Sequence, residues 1–264
     1  MPNRLQNKVV IVTGAAQGIG FGCARMAAAE GAAVVLADIQ KDRGEQAAAA
    51  IRAEAGKASF CATDVRDESQ CAALIDSAIR THGKLDGLVN NVGWFPRATL
   101  EQTTTELWEE VLRVNLRSAF YCCKYAVPRL RENKSGSIVN MGSINGIQGL
   151  PNLVAYAAAK GGMLSMTRTL AGALLQDRIR VNYVIPGWVL SEGELKIQAG
   201  EGRSEAELRK LGQNLGLGRQ QTPQDAAYGV VYLLSDESCQ VTGSILHLDA
   251  GASTLPIPPG AYPG

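Results

Sequence analysis

Two side chains in this sequence are spaced for proton transfer. Tyr156 and Lys160 bracket an alanine run, Tyr156-Ala157-Ala158-Ala159-Lys160, and residues four apart on a helix share one face. A phenol with an ordinary pKa near ~10 is a poor base at neutral pH. An ammonium beside it favours the phenolate and makes the phenol usable for general acid/base work. Tyr-x-x-x-Lys pairs also occur on many solvated helices, so this one acquires meaning only from its surroundings.

The first of those surroundings is Thr13-Gly14-Ala15-Ala16-Gln17-Gly18-Ile19-Gly20, set between a β-branched run and an alanine-rich helical run. Glycines let the backbone turn sharply and approach a pyrophosphate. The following helix then offers free N–H groups and its positive end. Three residues separate the first two glycines, unlike the tighter spacing of the common dinucleotide fingerprint. The next apolar run ends in Asp38, followed by Ile39, 18 residues after Gly20. A carboxylate there accepts hydrogen bonds from the adenosine ribose hydroxyls and repels a 2′-phosphate. No Arg or Lys stands in the glycine loop, and Lys41 and Arg43 are the nearest cations after Asp38. Together these residues predict NAD as the cofactor. Its cationic nicotinamide ring would favour the Tyr156 phenolate, as the ammonium does.

These groups need a scaffold, and the hydrophobic pattern supplies one. Apolar runs at Lys8–Thr13, Ala33–Asp38, Ala58–Thr63, Leu85–Asn90, Ser137–Met141, Ile179–Ile185 and Ser244–Leu248 read as strands. Helical stretches fall between them at Gly18–Glu30, Lys41–Ala55, Asp67–Thr81, Thr105–Arg131, Asn152–Leu175 and Pro223–Leu234. Strands apolar throughout, alternating with helices, imply a parallel sheet covered on both faces. The expected fold is α/β: one doubly wound Rossmann-like domain over residues 1–264, with about seven parallel strands. Residues 190–215, polar and dotted with glycine, have the composition of a substrate lid. The proline-rich stretch 253–264 reads as an extended C-terminal tail.

Composition narrows the functional class. Net charge is +1, with no block of like charge, which argues against a nucleic-acid surface. The six cysteines form no C-x-x-C pair and read as small buried thiols in a reducing compartment. The two histidines lack a ligand pattern, so no metal is expected. The first apolar run starts at once, leaving no room for a signal peptide. No segment has the roughly 18 apolar residues of a membrane span. The expectation is a cytoplasmic protein with a small-molecule substrate, without a nucleic-acid or membrane partner.

With these motifs in order, the chain resembles the classical short-chain dehydrogenase/reductase family over nearly its whole length. The family's glycine motif matches Gly14, Gly18 and Gly20, and its adenine-contacting acid and neighbour match Asp64-Val65. Its Asn-Asn-Ala-Gly motif appears as Asn90-Asn91-Val92-Gly93. Its catalytic Asn matches Asn115 and its catalytic Ser matches Ser143, 13 residues before Tyr156. Its Pro-Gly motif matches Pro186-Gly187, followed by Val189 and by Ser191 where Thr often contacts the carboxamide. Val92 replaces the usual Ala, and Ala159 stands where Ser is frequent.

The resemblance implies an NAD-dependent oxidoreductase that moves a hydride between a secondary alcohol or ketone and the nicotinamide. Tyr156 would be the acid/base, Ser143 would hold the substrate oxygen, and Lys160 would lower the Tyr156 pKa and bind the nicotinamide ribose. Asn115 would hold a water linking Lys160 to solvent. The implied pocket wall includes Trp94, Asn145, Gln148 and Trp188, which favours a compact hydroxylated substrate such as a sugar or polyol. Asn145 and Gln148 alternatively cap turns beside Gly146 and Gly149. The resemblance also implies a homotetramer, with the helices at Thr105–Arg131 and Asn152–Leu175 in one interface. Two other readings stay open: a reductase of 3-oxoacyl or other carbonyl substrates, and a non-catalytic NAD-binding regulator.

Overall fold

The computed structural model describes residues 3–253. The expected tail, from residue 254 on, lies outside the described residues. Seven strands form one parallel sheet: β1 (Val9–Thr13), β2 (Ala33–Asp38), β3 (Lys57–Ala62), β4 (Gly87–Asn90), β5 (Gly136–Met141), β6 (Ile179–Pro186) and β7 (Ile245–Leu248), in the spatial order β3-β2-β1-β4-β5-β6-β7. The doubly wound α/β expectation is met.

Alternation along the strands explains the three layers. Side chains i and i+2 of a strand face one side of the sheet, and i+1 faces the other. Val10 and Val12 of β1, with Val34, Leu36, Val89 and Val139, pack on one side. There they meet Cys23, Ala24 and Ala27 of α1 (Gly18–Ala29) and Val230, Val231 and Leu234 of α9 (Pro223–Leu234). Ile11, Val35, Leu88 and Ile138 face the other side. They meet Leu74, Ile75 and Ala78 of α3 (Glu68–His82) and Cys122, Ala126 and Leu130 of α5 (Ser118–Glu132). The remaining helices are α2 (Lys41–Ala53), α4 (Thr105–Leu112), α6 (Val154–Ala173), α7 (Glu192–Gly200) and α8 (Glu205–Gly212).

Local chemistry sets several helix ends. Asp67 caps α3 by accepting from the N–H groups of Ser69 and Gln70, and Gly83 closes it at φ 78°. Thr222 and Asp225 form a reciprocal capping box at α9, with Pro223 in its first turn.

One expectation needs correction. Residues 105–131 do not form a single α-helix: α4 and α5 are separated by a π-helical segment, Arg113–Arg117. The widened turn carries Asn115, whose side chain is drawn into bonds with the Trp94 main chain. Apolar periodicity does not register one wide turn.

β1 lies beside β4, so the chain leaves β1 toward β2 on one side and returns to β4 on the other. Ligands of open α/β sheets bind where the strand order reverses in this way, outside the carboxyl ends of the strands.

Candidate active site

At that switch point a cavity of about 950 Å³ opens. Its floor is the β1–α1 turn. Gly14 and Gly18 take φ values of 63° and 59°, which side-chain-bearing residues rarely adopt. Gly20 is required for another reason: a Cβ there would lie 2.2 Å from the Gly14 carbonyl oxygen. Thr13 and Asn91 lock the turn to the end of β4. The Asn91 amide donates to the Thr13 and Gly14 carbonyls at 3.0 and 3.1 Å, and its N–H donates to the Thr13 hydroxyl at 3.0 Å. Asn91 therefore holds the cradle's shape.

Asp38, at the end of β2, is 8% exposed. Its carboxylate accepts from the Ala16 N–H at 3.1 Å and the Gln40 N–H at 3.0 Å. Of the two nearest cations, Arg43 is ion-paired with Glu192 on α7, and Lys41 is exposed without an ion pair among the described residues. Asp64 meets a bidentate partner that sequence reasoning missed. Arg66 grips both of its oxygens and reaches Glu110 at 2.8 Å. The Arg66 hydrogen bonds hold the Asp64 carboxyl below the usual carboxylate range. Asp64, Val65 and Arg66 all line the cavity.

These residues fit a dinucleotide. Gly14, Gln17, Gly18 and Ile19 of the turn line the cavity, and the Gln17 side-chain oxygen is buried without a hydrogen-bond partner among the described residues. A buried acceptor left unsatisfied by the protein is available to a donor of a bound dinucleotide, such as a ribose hydroxyl or an amide.

The catalytic candidates meet at the far end. Tyr156 and Lys160 rise from α6, one turn apart, with the Lys160 Nζ 5.6 Å from the Tyr156 ring centre. Lys160 is 2% exposed and donates to the Met141 carbonyl at 2.7 Å. Burial pushes Lys160 down to about 7. Burial pushes Tyr156 up to about 12, and a hydrogen bond from Ser143 pulls it back. The Ser143 Oγ accepts from the Asn145 N–H at 3.1 Å, which leaves its own proton free to donate. Phe95 packs at 5.5 Å from the Tyr156 ring. Asn115 is fully engaged: its Oδ1 accepts from the Trp94 N–H, and its Nδ2 donates to the Trp94 and Val111 carbonyls. A Cβ on Gly93 would lie 3.6 Å from Asn115 Oδ1 and 4.0 Å from Lys160 Nζ, so the three residues converge.

Trp94, Phe95, Leu150, Leu153, Trp188 and Ile197 supply apolar lining to the cavity. Asn145 lines it with only its backbone N–H committed, to Ser143. Gln148 also lines the cavity, but it is exposed and donates to the Ser253 carbonyl at 2.9 Å.

The segment 190–215, expected as a lid, carries α7 and α8. Ser191 caps α7 by accepting from the Glu194 N–H and lies against Gly18. Glu194 accepts from the Trp188 ring N–H and from Gln198, both at 2.9 Å, and Glu201 pairs with Arg97 at 2.7 Å. Pro186-Gly187 is held by Gln221, whose side-chain oxygen accepts from the Gly187 N–H at 2.7 Å. Val189 bridges to Gln221 as well. Gln221 lies far from the Pro-Gly turn in sequence and left no local signal.

A glycine cradle, a strand-end acid and a Ser143–Tyr156–Lys160 cluster on a doubly wound sheet define a nicotinamide-dependent oxidoreductase. The comparisons agree. A family model described as enoyl-(acyl carrier protein) reductase matches residues 14–253. The 2-(S)-hydroxypropyl-CoM dehydrogenase 3 of Xanthobacter autotrophicus is 36% identical over 97% of this chain and 100% of its own. The cyclopentanol dehydrogenase of a Comamonas species is 36% identical over 94% of this chain and 98% of its own. The crystal structure of levodione reductase superposes with a TM-score of 0.88 at 29% identity, covering 95% of this chain and 99% of that one. The chain belongs to the classical short-chain dehydrogenase/reductase family, and it is an oxidoreductase acting between CH–OH and carbonyl groups. No helix among the described residues is long and apolar enough to cross a membrane. No cluster of potential metal ligands occurs among them.

Proposed function

We propose that this enzyme is an NAD-dependent dehydrogenase of a compact cyclic secondary alcohol. Asp38 carries the cofactor assignment. Its buried carboxylate faces the site where an adenosine ribose would sit, and the nearby Arg43 is already neutralised by Glu192. A 2′-phosphate there would meet the Asp38 charge at the strand end, with only the solvent-exposed Lys41 as an unpaired cation nearby in sequence.

The bound nicotinamide supplies the hydride acceptor; the chain's own residues do the rest. Tyr156 takes the proton from the substrate hydroxyl. Ser143 donates a hydrogen bond to the substrate oxygen and holds the charge that develops there. Lys160, its Nζ 5.6 Å from the Tyr156 ring centre, would favour the phenolate while protonated and would help hold the nicotinamide ribose. Asn115, locked on its side-chain atoms, keeps its main chain in place to hold a water beside Lys160. Gly14, Gln17, Gly18, Ile19 and Gly20 would hold the pyrophosphate, Ile39, Asp64 and Val65 the adenosine, and Asn91, Gly93, Pro186, Gly187, Val189 and Ser191 the nicotinamide.

The apolar walls support a ring as substrate. Trp94, Phe95 and Trp188 offer flat surfaces, and Asn145 is the amide left to select a second polar group on the ring. The dehydrogenase similar to this chain that acts on cyclopentanol points the same way. Exposure of Phe120 on α5 and Tyr228 on α9, at 49% and 54%, supports assembly into a homotetramer, and the free thiols support a reducing cytoplasm.

The test is a matrix of initial rates, NAD against NADP, with cyclopentanol, a cyclic polyol and a ring alcohol carrying a carboxylate. Fastest turnover with NAD and a cyclic alcohol supports the reading. Preference for NADPH-driven reduction of a 3-oxoacyl thioester would replace it, and no turnover with any arm would point to a cofactor-binding regulator.

A further inference from the structure

Tyr183 lies in the middle of β6, outside every motif described so far, and is completely buried. Its ring packs with Ala119, Met163 and Ile185, in a small cluster between the sheet and α6. The space it fills was made for it. A Cβ on Gly142 would lie 2.0 Å from the ring, and one on Gly146 would lie 2.7 Å from the hydroxyl. Gly142 precedes Ser143, and Gly146 ends the short 3₁₀ turn that Ser143 caps. An aromatic residue at position 183 and glycines at 142 and 146 are therefore one packing unit.

The hydroxyl at the end of that ring has two partners. It accepts from the Ser143 backbone N–H at 3.3 Å and donates to the Lys160 backbone carbonyl at 3.0 Å. One buried side chain thus bonds the backbones of two residues whose side chains carry the chemistry. Ser143 sits on the β5 exit and Lys160 on α6, elements joined otherwise by the Lys160 ammonium reaching the Met141 carbonyl, by the Asn140 amide donating to the Thr167 hydroxyl at 2.9 Å further along both elements, and by packing. The ammonium contact is made by a group the reaction needs elsewhere. The Tyr183 contact is made by one with no other task, from a strand held on both sides by β5 and β7.

We propose that Tyr183 is a positioning residue for hydride transfer: it sets the spacing between Ser143 and the Tyr156–Lys160 face of α6, and so the alignment of the hydrogen bond by which Ser143 tunes Tyr156. The proposal rests on the roles given above to Ser143, Tyr156 and Lys160. Small errors in such spacing cost rate out of proportion to the bonds lost, because the substrate oxygen must meet both hydroxyls at once.

Tyr183→Phe keeps the ring and removes only the hydroxyl. Expected results are a kcat for alcohol oxidation at least about tenfold lower, a KM for NAD within about twofold of wild type, and an alkaline limb of kcat moved to higher pH by at least half a unit. A merely structural role would lower the melting temperature and leave kcat and the pH limb, measured well below that temperature, unmoved; that result overturns the proposal. Should Tyr183→Phe not accumulate as folded protein, Tyr183→Met fills similar volume without a donor and is read the same way. Tyr156→Phe runs in parallel. If it retains turnover, the underlying role assignment has failed; if it is inactive while Tyr183→Phe is not, only the positioning role has.

Discussion

Lys160 donates its ammonium to the Met141 carbonyl at 2.7 Å, the strongest restraint on a cation that is almost wholly withdrawn from solvent. One acceptor is little compensation for a buried charge, and the lysine is accordingly driven down from 10.5 to about 7. The role proposed for Lys160 beside Tyr156 accounts for keeping so costly a group in place.

That cost predicts a stability signature. Between pH 7 and about 10 the unfolded chain binds a proton at this lysine that the folded chain does not, so stability should rise with pH across that window. Below pH 7 both forms are protonated and the full penalty stands, at most roughly 5 kcal/mol and less after the lost Met141 bond is counted. Lys160→Met should be inactive, yet melt several degrees above wild type at pH 6.5. The difference should shrink toward pH 10 in thermal scans. A variant less stable at pH 6.5 contradicts this account.

Tyr156 titrates the other way. Burial raises its phenol to about 12 and the Ser143 hydrogen bond opposes that rise. Alcohol oxidation needs the phenolate, so its kcat/KM should climb with pH. Carbonyl reduction needs the phenol proton and should fall over the same range. Ser143→Ala should move both limbs to higher pH. Tyr156→Phe should bind cofactor within about threefold of wild type and keep less than a tenth of its turnover. Parallel pH–rate profiles in the two directions would refute the assignment.

Asp38 should impose at least ~10-fold preference for NAD in kcat/KM, since repulsion of a 2′-phosphate easily exceeds ~1.4 kcal/mol. Asp38→Ala should bring the two cofactors to within a few-fold. It should also lower stability by about 1–3 kcal/mol, because the buried Ala16 N–H loses its acceptor. Unchanged selectivity in the variant would show that the preference arises elsewhere.

Gly20→Ala tests the cradle. The new Cβ would fall 2.2 Å from the Gly14 oxygen and 2.5 Å from the Asn91 amide nitrogen, so the turn must open. Cofactor affinity, read by fluorescence titration, should drop by about 100-fold or more, with a stability loss of about 1–3 kcal/mol. Gly172→Ala, where a Cβ meets nothing within 4 Å, is the control and should bind normally.

Much of this molecule is written locally. Ala33–Asp38 and Pro223–Leu234 were legible to the residue, the first because a strand buried on both faces must be apolar throughout, the second because Pro223 suits a helix's first turn. The order of strands and helices determined the doubly wound sheet, and the glycine turn, Asp38 and the Tyr156–Lys160 pair could be placed on it from spacing alone. What tertiary structure decided is which distant partners those residues meet. Nothing near Asp64 in the pattern announces that Arg66 will hold it with help from Glu110, or that Arg43 will turn from the cofactor site to Glu192. The wide turn that aims Asn115 at Trp94 leaves no trace in apolar periodicity. Tyr183 reads from sequence as one more core aromatic; only the register of β6 against β5 carries its hydroxyl to Ser143 and Lys160. Periodicity encodes which face of an element is buried. Side-chain pairs between elements depend on how those faces are stacked, and that is settled only when the whole core closes.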